Sequence, residues 1–216
     1  LTFNALYYIP EQYPEIADII RRCMSLGFTS FILADPALME YLNEQKVICE
    51  IHLSGEIGEV NSRMLSVFRK YPVQRLIFHR KNSFSDMESV VKHGKNPGDK
   101  AGKRERVITE YEAFVMNELC HFSGAFCNSL HCDELGYLCR VPYRLGQEVD
   151  CPGKQKRFTE EIPERLPYNE EGYLCGATGC GLCALYQLQR AGITHLKLVG
   201  RGNYRDFMER DIRNLR

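Results

Sequence analysis

Strand-like and helix-like segments alternate along the first 95 residues, and this alternation constrains the fold more than any other feature of the chain. Apolar segments of strand length are predicted at residues 2–8, 29–34, 47–53 and 73–78, and two more follow at 111–117 and 194–199. Between the first four, apolar residues recur at helical spacing, as in Ile16, Ile19, Ile20 and Cys23. Such alternation is typical of parallel strands that are joined by crossover helices.

Further helices are predicted from the same spacing. They are marked by Leu38, Met39 and Leu42; by Val60, Met64, Leu65 and Phe68; by Phe84, Met87, Val90 and Val91; by residues 182–191; and by residues 204–215. Six strands are two fewer than an eight-stranded TIM barrel contains. The fold class predicted is therefore α/β, either an incomplete TIM-barrel-like domain or an open sheet.

The boundaries follow from where the alternation stops. Residues 1–117 are predicted to form the βα-repeat part of a TIM-like barrel, and residues 181–216 a helix–strand–helix unit that closes the same domain. Between them, residues 118–180 are predicted to be a cysteine-rich irregular insertion. A basic segment at 92–106 is predicted to be a solvated loop, with an anionic substrate as the alternative, and residues 154–157 form a second local positive patch.

Charge and hydropathy exclude several classes of protein. The 28 Lys and Arg residues balance the 28 Asp and Glu residues, which argues against a general nucleic-acid coat. No run of 18 apolar residues is present, so no membrane-spanning helix is expected. The 44% hydrophobic content is too high for a disordered chain. We therefore expect a cytoplasmic globular protein.

Cysteine is the unusual residue in this composition. Eight of the 10 cysteines fall between Cys120 and Cys183, and only Cys23 and Cys49 lie outside that stretch. Clustered thiolates on irregular backbone favour a metal or iron–sulfur site in a reducing compartment, with disulfides and unconnected thiols as the alternatives. Their spacing alone does not choose between iron–sulfur and zinc. Cys23 and Cys49 are predicted to be small buried side chains.

Polar residues follow several predicted strands. His52 and Glu56 belong to the third strand and the turn after it, Arg80 follows the fourth, and Arg201 follows the sixth. The carboxyl ends of parallel barrel strands share one face, where sites are built. Two arginines at that face predict binding of a carboxylate or phosphate, with a salt bridge as the alternative for each.

Four segments carry a resemblance to a known family. The first is His52-Leu53-Ser54-Gly55-Glu56 with Asn61, and the second is Phe78-His79-Arg80. The third runs from Leu119-Cys120 through Ser123-Gly124-Ala125-Phe126-Cys127 to Cys139-Arg140-Val141-Pro142-Tyr143. The fourth runs from Cys180 through Ala191-Gly192-Ile193 to Leu196-Lys197-Leu198-Val199-Gly200-Arg201. In this order they resemble the collagenase-like peptidase family, the unknown-mechanism peptidase family thirty-two.

The resemblance implies a cofactor and a cosubstrate. Relatives of the family are oxygen-independent hydroxylation proteins that act on ubiquinone precursors, a tRNA uridine or an rRNA cytidine. They hold a 4Fe-4S cluster on four cysteines and use prephenate as the source of the hydroxyl group. Cys120, Cys127 and Cys139 match cluster positions. The third family cysteine, four residues before Cys139, is replaced by Leu135, so Cys180 is expected to complete the set of four, with Cys132 and Cys183 as alternates.

The same resemblance implies the roles of the strand-end residues. His52, Glu56 and Arg80 are expected to be catalytic, and Arg80, Arg201 and Asn61 are expected to bind the substrate. The function expected is an iron–sulfur protein that assists prephenate-type hydroxylation of an RNA base or an aromatic precursor. The alternatives are a peptidase, with or without a catalytic metal, and a non-catalytic subunit stabilised by zinc or a cluster.

Partners are also implied. The first barrel units of the family have no counterpart here, so a partner chain that completes the barrel is expected. An anionic small-molecule cosubstrate is expected as well. RNA is a less favoured partner, because the net charge is zero and the basic residues are confined to two local patches.

Overall fold

The computed structural model describes residues 1–95, 108–115, 147–149, 157–159, 182–198 and 205–215. Of the residues predicted to hold a cluster, only Cys183 lies among them. The predicted substrate-binding residue Arg201 and most of the predicted insertion lie outside the described residues.

A six-stranded parallel sheet forms the centre of the described structure. Its strands are β1 (Thr2–Phe3), β2 (Ser30–Leu33), β3 (Glu50–Leu53), β4 (Val73–Ile77), β5 (Glu110–Val115) and β8 (His195–Leu198). Their order across the sheet is the order of the chain, and every neighbouring pair is parallel. Crossover connections of the same handedness, each leading to the next strand on the same side, place the helices on one face of the sheet and curl it. The sheet is therefore a half barrel, as an incomplete TIM-like barrel requires, and the prediction of an α/β fold is confirmed.

The helices pack on the convex face of this sheet. They are α1 (Gln12–Ser25), α2 (Pro36–Glu44), α3 (Met64–Phe68), α4 (Phe84–Lys95), α5 (Leu185–Ala191) and α6 (Arg205–Leu215). Helix residues such as Ile20 and Leu42 share one buried cluster with strand residues such as Phe31, Ile51 and Leu76. Burial of these apolar side chains is the main force that holds the helices on the sheet.

Local chemistry sets the helix ends. Asp35 follows β2, and its carboxylate accepts a hydrogen bond of 2.8 Å from the backbone N–H of Ala37, while Pro36 occupies the first turn of α2. Both are favoured at a helix start. Gly27, after α1, has a φ of +93°, a conformation that glycine adopts without steric cost. Among the described residues, no helix is long and apolar enough to cross a membrane.

Several predicted boundaries differ from the structure. The first strand is limited to Thr2–Phe3, since only these residues lie opposite β2. Val60 precedes α3 and is not part of a helix. Residues 92–95 belong to α4, so the basic segment begins as helix and not as loop. Within the stretch predicted to be irregular, β6 (Gln147–Val149) and β7 (Arg157–Thr159) form an antiparallel pair.

The two faces of the sheet differ in chemistry. On β2 and β3 the residues alternate between fully buried apolar side chains, which face the helices, and half-buried side chains, which include Glu50 and His52. Alternate positions on β5 and β8 give the concave face Glu110, Glu112, His195 and Lys197, but Leu196 and Leu198 on the opposite face of β8 are exposed. The interior of a TIM barrel is normally filled by branched apolar residues. The concave face here is charged instead.

An irregularity in β4 adds an arginine to this face. Ile51 pairs with Val73, but the next residue, His52, pairs with Arg75, so Gln74 is an extra residue in β4. Strict alternation would place Val73 and Arg75 on the same face. The bulge turns Arg75 to the concave face beside His52, while Val73 stays in the core.

Candidate anion-binding site

The turn after β3 brings Glu56 to the carboxyl end of the sheet. Ser54 caps a short 3-10 helix, Gly55–Ile57, by accepting a hydrogen bond from the backbone N–H of Glu56 at 3.2 Å. Gly55 lies against the end of β4, where an added Cβ would stand 3.0 Å from the carbonyl oxygen of Phe78. A side chain at this position would push the two strand ends apart, so the sequence Ser-Gly-Glu keeps Glu56 close to the residues that follow β4.

The segment after β4 is fixed by buried polar contacts. His79 is only 3% exposed, and its Nδ1 accepts a hydrogen bond from the backbone N–H of Lys81 at 3.2 Å. Asn82 is also buried, and its side-chain amide bonds both the N–H and the carbonyl of Val60. These contacts tie the loop after β3 to the loop after β4. Burial lowers the pKa of His79 below its ordinary value, which favours the neutral ring that this hydrogen bond needs.

Arg80 has an unsatisfied donor in the described part of this end of the sheet. Its guanidinium carbon lies 4.2 Å from the centre of the Phe114 ring. Its Nη1 lies 4.0 Å from Oε1 of Glu56, which is too long for a hydrogen bond. Its Nε is buried and has no hydrogen-bond partner among the described residues. A guanidinium stacked on an aromatic ring keeps its edge donors free for a planar anion such as a carboxylate.

Lys197 lies across Phe114 from the neighbouring strand. The two residues are register partners in the β5–β8 pair, and Nζ of Lys197 lies 5.7 Å from the centre of the ring. The ammonium group also pairs with Oε1 of Glu112 at 3.2 Å. A row of two cations and one ring thus runs across the sheet, with Arg80 after β4, Phe114 on β5 and Lys197 on β8.

Arg75 is the centre of a charged network deeper on the concave face. Its guanidinium bonds Glu110 at 2.7 Å and Glu112 at 2.9 Å. It also donates to Nε2 of His195 at 3.1 Å. One carboxylate oxygen of Glu112 accepts from Arg75, and the other pairs with Lys197. Glu112 therefore links this network to the row of Arg80, Phe114 and Lys197. The network fixes the side chains that form the floor of the site.

The hydrogen bonds of His195 define its tautomer. Arginine can only donate, so Nε2 of His195 accepts, and the ring proton is on Nδ1. Nδ1 donates to the hydroxyl of Thr194 at 2.8 Å, and that hydroxyl donates to the carbonyl of Tyr111 at 3.0 Å. The backbone N–H of Tyr111 completes the set by donating to the same hydroxyl at 2.8 Å. His195 is therefore held as a neutral ring with a fixed orientation.

The residues predicted from the sequence are brought together only in part. Glu56 and Arg80 face each other at the strand ends. His52 lies lower on the concave face and donates from Nε2 to Glu50 at 2.7 Å, and this hydrogen bond lowers the pKa of Glu50 below its ordinary value. Asn61 is exposed, and its side-chain oxygen accepts from the N–H groups of Arg63 and Met64 at the start of α3.

The described cysteines divide by environment. Cys183 is exposed and free in the short 3-10 helix Leu182–Ala184. Cys49 is buried in the core, and burial raises the pKa of its thiol to about 11. Cys23 is half-buried and free. Within the described part of the chain, no three His, Cys, Asp or Glu side chains are grouped so as to hold a metal ion. The other predicted ligands, Cys120, Cys127, Cys132, Cys139 and Cys180, lie outside the described residues.

Sequence reasoning missed the residues of the concave face. The sequence patterns assign no site role to five of them, because the strands that carry them are predicted only as buried apolar segments. These residues are Arg75, Glu110, Glu112, His195 and Lys197. A signal was present in the sequence. Buried parallel strands are near-continuous apolar runs, whereas here charged residues recur at every second position, as in Glu110 and Glu112 or His195 and Lys197.

Comparison with known proteins gives one match. The model of peptidase family U32 matches residues 1–215. The searches of curated proteins and of solved structures found no match.

Proposed function

Because the chain belongs to peptidase family U32, we propose that it is an iron–sulfur protein that assists oxygen-independent hydroxylation with an anionic cosubstrate of the prephenate type. The observation that carries the proposal is the state of Arg80. Its guanidinium is stacked on Phe114, is too far from Glu56 for a hydrogen bond, and has a buried Nε without a partner among the described residues. An unpaired buried donor is costly, and an acid group of a ligand would satisfy it.

The residues around Arg80 have distinct roles in this proposal. Arg80 binds a carboxylate of the cosubstrate through its edge donors. The carboxylate of Glu56, 4.0 Å from Arg80, accepts a hydrogen bond from a hydroxyl of the same ligand. His52 is held by Glu50 on the concave face below and exchanges protons with solvent in the half barrel. Outside the described residues, Arg201 is expected to bind the ligand as well.

The donor set of the chain fits an iron–sulfur cluster. Such clusters are held by cysteine thiolates. Cys183 is exposed and free, whereas Cys49 is buried in the core, where burial raises the pKa of its thiol. Cys120, Cys127, Cys139 and Cys180 would hold the cluster, with Cys132 and Cys183 as alternates. When bound, the cluster supplies electron transfer. The molecule that receives the hydroxyl group is an RNA base or an aromatic precursor.

The experiment is a titration of anaerobically purified protein with prephenate, in the wild type and in Arg80→Gln. Loss of a charge-assisted pair at a buried site should weaken binding by about tenfold to 100-fold. The matched control is Lys81→Gln, which removes the same charge from the next residue, an exposed side chain, and should leave the affinity unchanged. Equal affinity of the wild type and Arg80→Gln would overturn this role of Arg80.

The name of the family favours a second function, hydrolysis of a peptide. Under this alternative Glu56 acts as the general base. Peptide hydrolysis by the wild type that disappears in Glu56→Gln, together with no binding of prephenate, would support it over the first proposal.

A further inference from the structure

The row of Arg80, Phe114 and Lys197 has two cations, and the proposed function uses only one of them. Arg80 follows β4, Phe114 is on β5 and Lys197 is on β8. Neighbouring strands lie about 4.8 Å apart, so the first and third strands of this row are separated by about 10 Å. Both cations approach the same ring, at 4.2 Å and 5.7 Å from its centre. The row therefore offers two positive groups next to one aromatic ring, that of Phe114.

The ammonium group of Lys197 has hydrogen-bond donors that its described contacts do not use. An ammonium group has three N–H donors, and the described contacts of Lys197 include one acceptor, Oε1 of Glu112 at 3.2 Å. Glu112 is not free to follow Lys197, because Arg75 holds its other oxygen at 2.9 Å. The ammonium group is thus anchored in place and still able to donate to a second anion.

Each cation of the row has one carboxylate near it among the described residues. Glu56 is the carboxylate closest to Arg80, at 4.0 Å, and Glu112 is the one closest to Lys197. Glu112 also accepts from Arg75, which is paired with Glu110 as well. A ligand with a single acid group would satisfy one cation and leave the other.

We infer that Lys197 binds a second acid group of the cosubstrate, so that the ligand spans the row beside Phe114 with one acid group on Arg80 and the other on Lys197. Lys197 is then the residue that selects a ligand with two acid groups over one with a single acid group. This inference rests on the proposed function, since both use the same ligand. It adds a residue that the motif resemblance did not assign.

The test compares a ligand that has two acid groups with a ligand that has one. Prephenate has two carboxylates and a hydroxyl on a non-aromatic ring, and phenylpyruvate has one carboxylate and an aromatic ring without the hydroxyl. Lys197→Gln should bind prephenate about tenfold to 100-fold more weakly than the wild type, with little change for phenylpyruvate. Glu112→Gln frees Lys197 from its competitor, so it should bind prephenate more tightly than the wild type. Lys197→Arg should keep most of the preference for prephenate, and Lys81→Gln should keep all of it.

The outcomes separate this inference from the proposed function. A loss of prephenate affinity in Arg80→Gln, with none in Lys197→Gln, would overturn the role of Lys197 and leave the anion site in place. Equal losses for both ligands in Lys197→Gln would show a structural role for the lysine and would also overturn the inference. If the wild type binds neither ligand, both proposals fail. Thermal unfolding of each variant shows whether it is folded, and Glu112→Gln provides a gain of affinity that a folding defect cannot imitate.

Discussion

At the scale of single residues, the buried histidine next to Arg80 makes the stability of the protein depend on pH. Burial lowers the pKa of His79 in the folded protein, and protonation would remove the hydrogen bond that Nδ1 accepts from Lys81. In the unfolded chain the ring takes up a proton near its ordinary pKa of 6.5. Below that pH the unfolded state therefore binds more protons than the folded state, and the free energy of unfolding falls as the pH falls.

The variant His79→Gln should remove this part of the pH dependence. Between pH 7 and pH 5 the free energy of unfolding of the wild type should fall more steeply than that of the variant, by at most about 1.4 kcal/mol for each pH unit. Urea denaturation at several pH values measures the two slopes. His93→Gln, which changes an exposed histidine on α4, should keep the slope of the wild type. Parallel slopes for the wild type and His79→Gln would contradict the account.

Single residues also show what could be predicted from the sequence. Glu56 and Arg80 follow strands, and the rule that strand ends share one face was enough to place them together. Arg75 could not be assigned to a face in this way. Its position depends on the extra residue in β4, and a bulge of this kind has no signal in the letters Val-Gln-Arg-Leu-Ile. Glu112 and His195 could be assigned to a face, because charged residues recur at every second position of their strands.

At the scale of elements, the end of α4 is packed tightly against β5. Gly94 lies next to the Tyr111 side chain, and an added Cβ would overlap the tyrosine hydroxyl. Tyr111 is fully buried and donates to the carbonyl of Ile108 at 3.1 Å, so it has little room to move. The buried guanidinium of Arg69 donates to the carbonyl of His93 at 2.7 Å, one residue before Gly94. This contact also fixes the end of α4.

The variant Gly94→Ala should therefore destabilise the protein, although alanine favours helix more than glycine does. Overpacking should cost about 1–3 kcal/mol, measured as the free energy of unfolding in urea. Ser89→Ala, at an exposed position of the same helix, should change the stability by much less. Adding Tyr111→Phe to Gly94→Ala should recover part of the loss, because it removes the atom that the new methyl group meets. A gain of stability in Gly94→Ala would show that this packing is looser than described.

Helices and strands were predicted well where hydrophobic periodicity decides them. The helical spacing of Ile16, Ile20 and Cys23 lies within α1, and the apolar segment 29–34 contains β2. Ends were predicted less well, because contacts in space determine them. β1 is short because its partner β2 reaches only Thr2 and Phe3, and α4 extends into a basic segment that composition alone suggests is a loop.

At the scale of the whole molecule, the described residues form half of a barrel whose concave face is charged. A closed TIM barrel fills this space with apolar side chains. Here Arg75, Glu110, Glu112, His195 and Lys197 neutralise one another in one network, and such groups pair well only when they are held in fixed positions. The concave face is thus suited to a polar ligand and not to a packed core.

Family membership connects this face to the cysteines. The family model spans residues 1–215, and it therefore includes both the half barrel and the segment that holds most of the cysteines. The alternation of strands and helices was sufficient to predict the α/β fold, and the number of strands left an incomplete barrel and an open sheet as the alternatives. The proposed cluster is different, because Cys120, Cys127, Cys139 and Cys180, its expected ligands, lie outside the described residues, and its identity depends on which sulfurs converge in space. It remains a prediction that only chemical analysis can test.

The measurement that tests the central proposal most directly is the content of iron, acid-labile sulfide and zinc in anaerobically purified protein. The wild type should contain about four iron and four sulfide for each chain, with the visible absorption of a cluster. Cys120→Ala should lose both, and Cys49→Ala should keep both, because buried Cys49 has a raised pKa and belongs to the core. Zinc alone in the wild type, or no metal under anaerobic conditions, would contradict the proposal that this chain is an iron–sulfur protein.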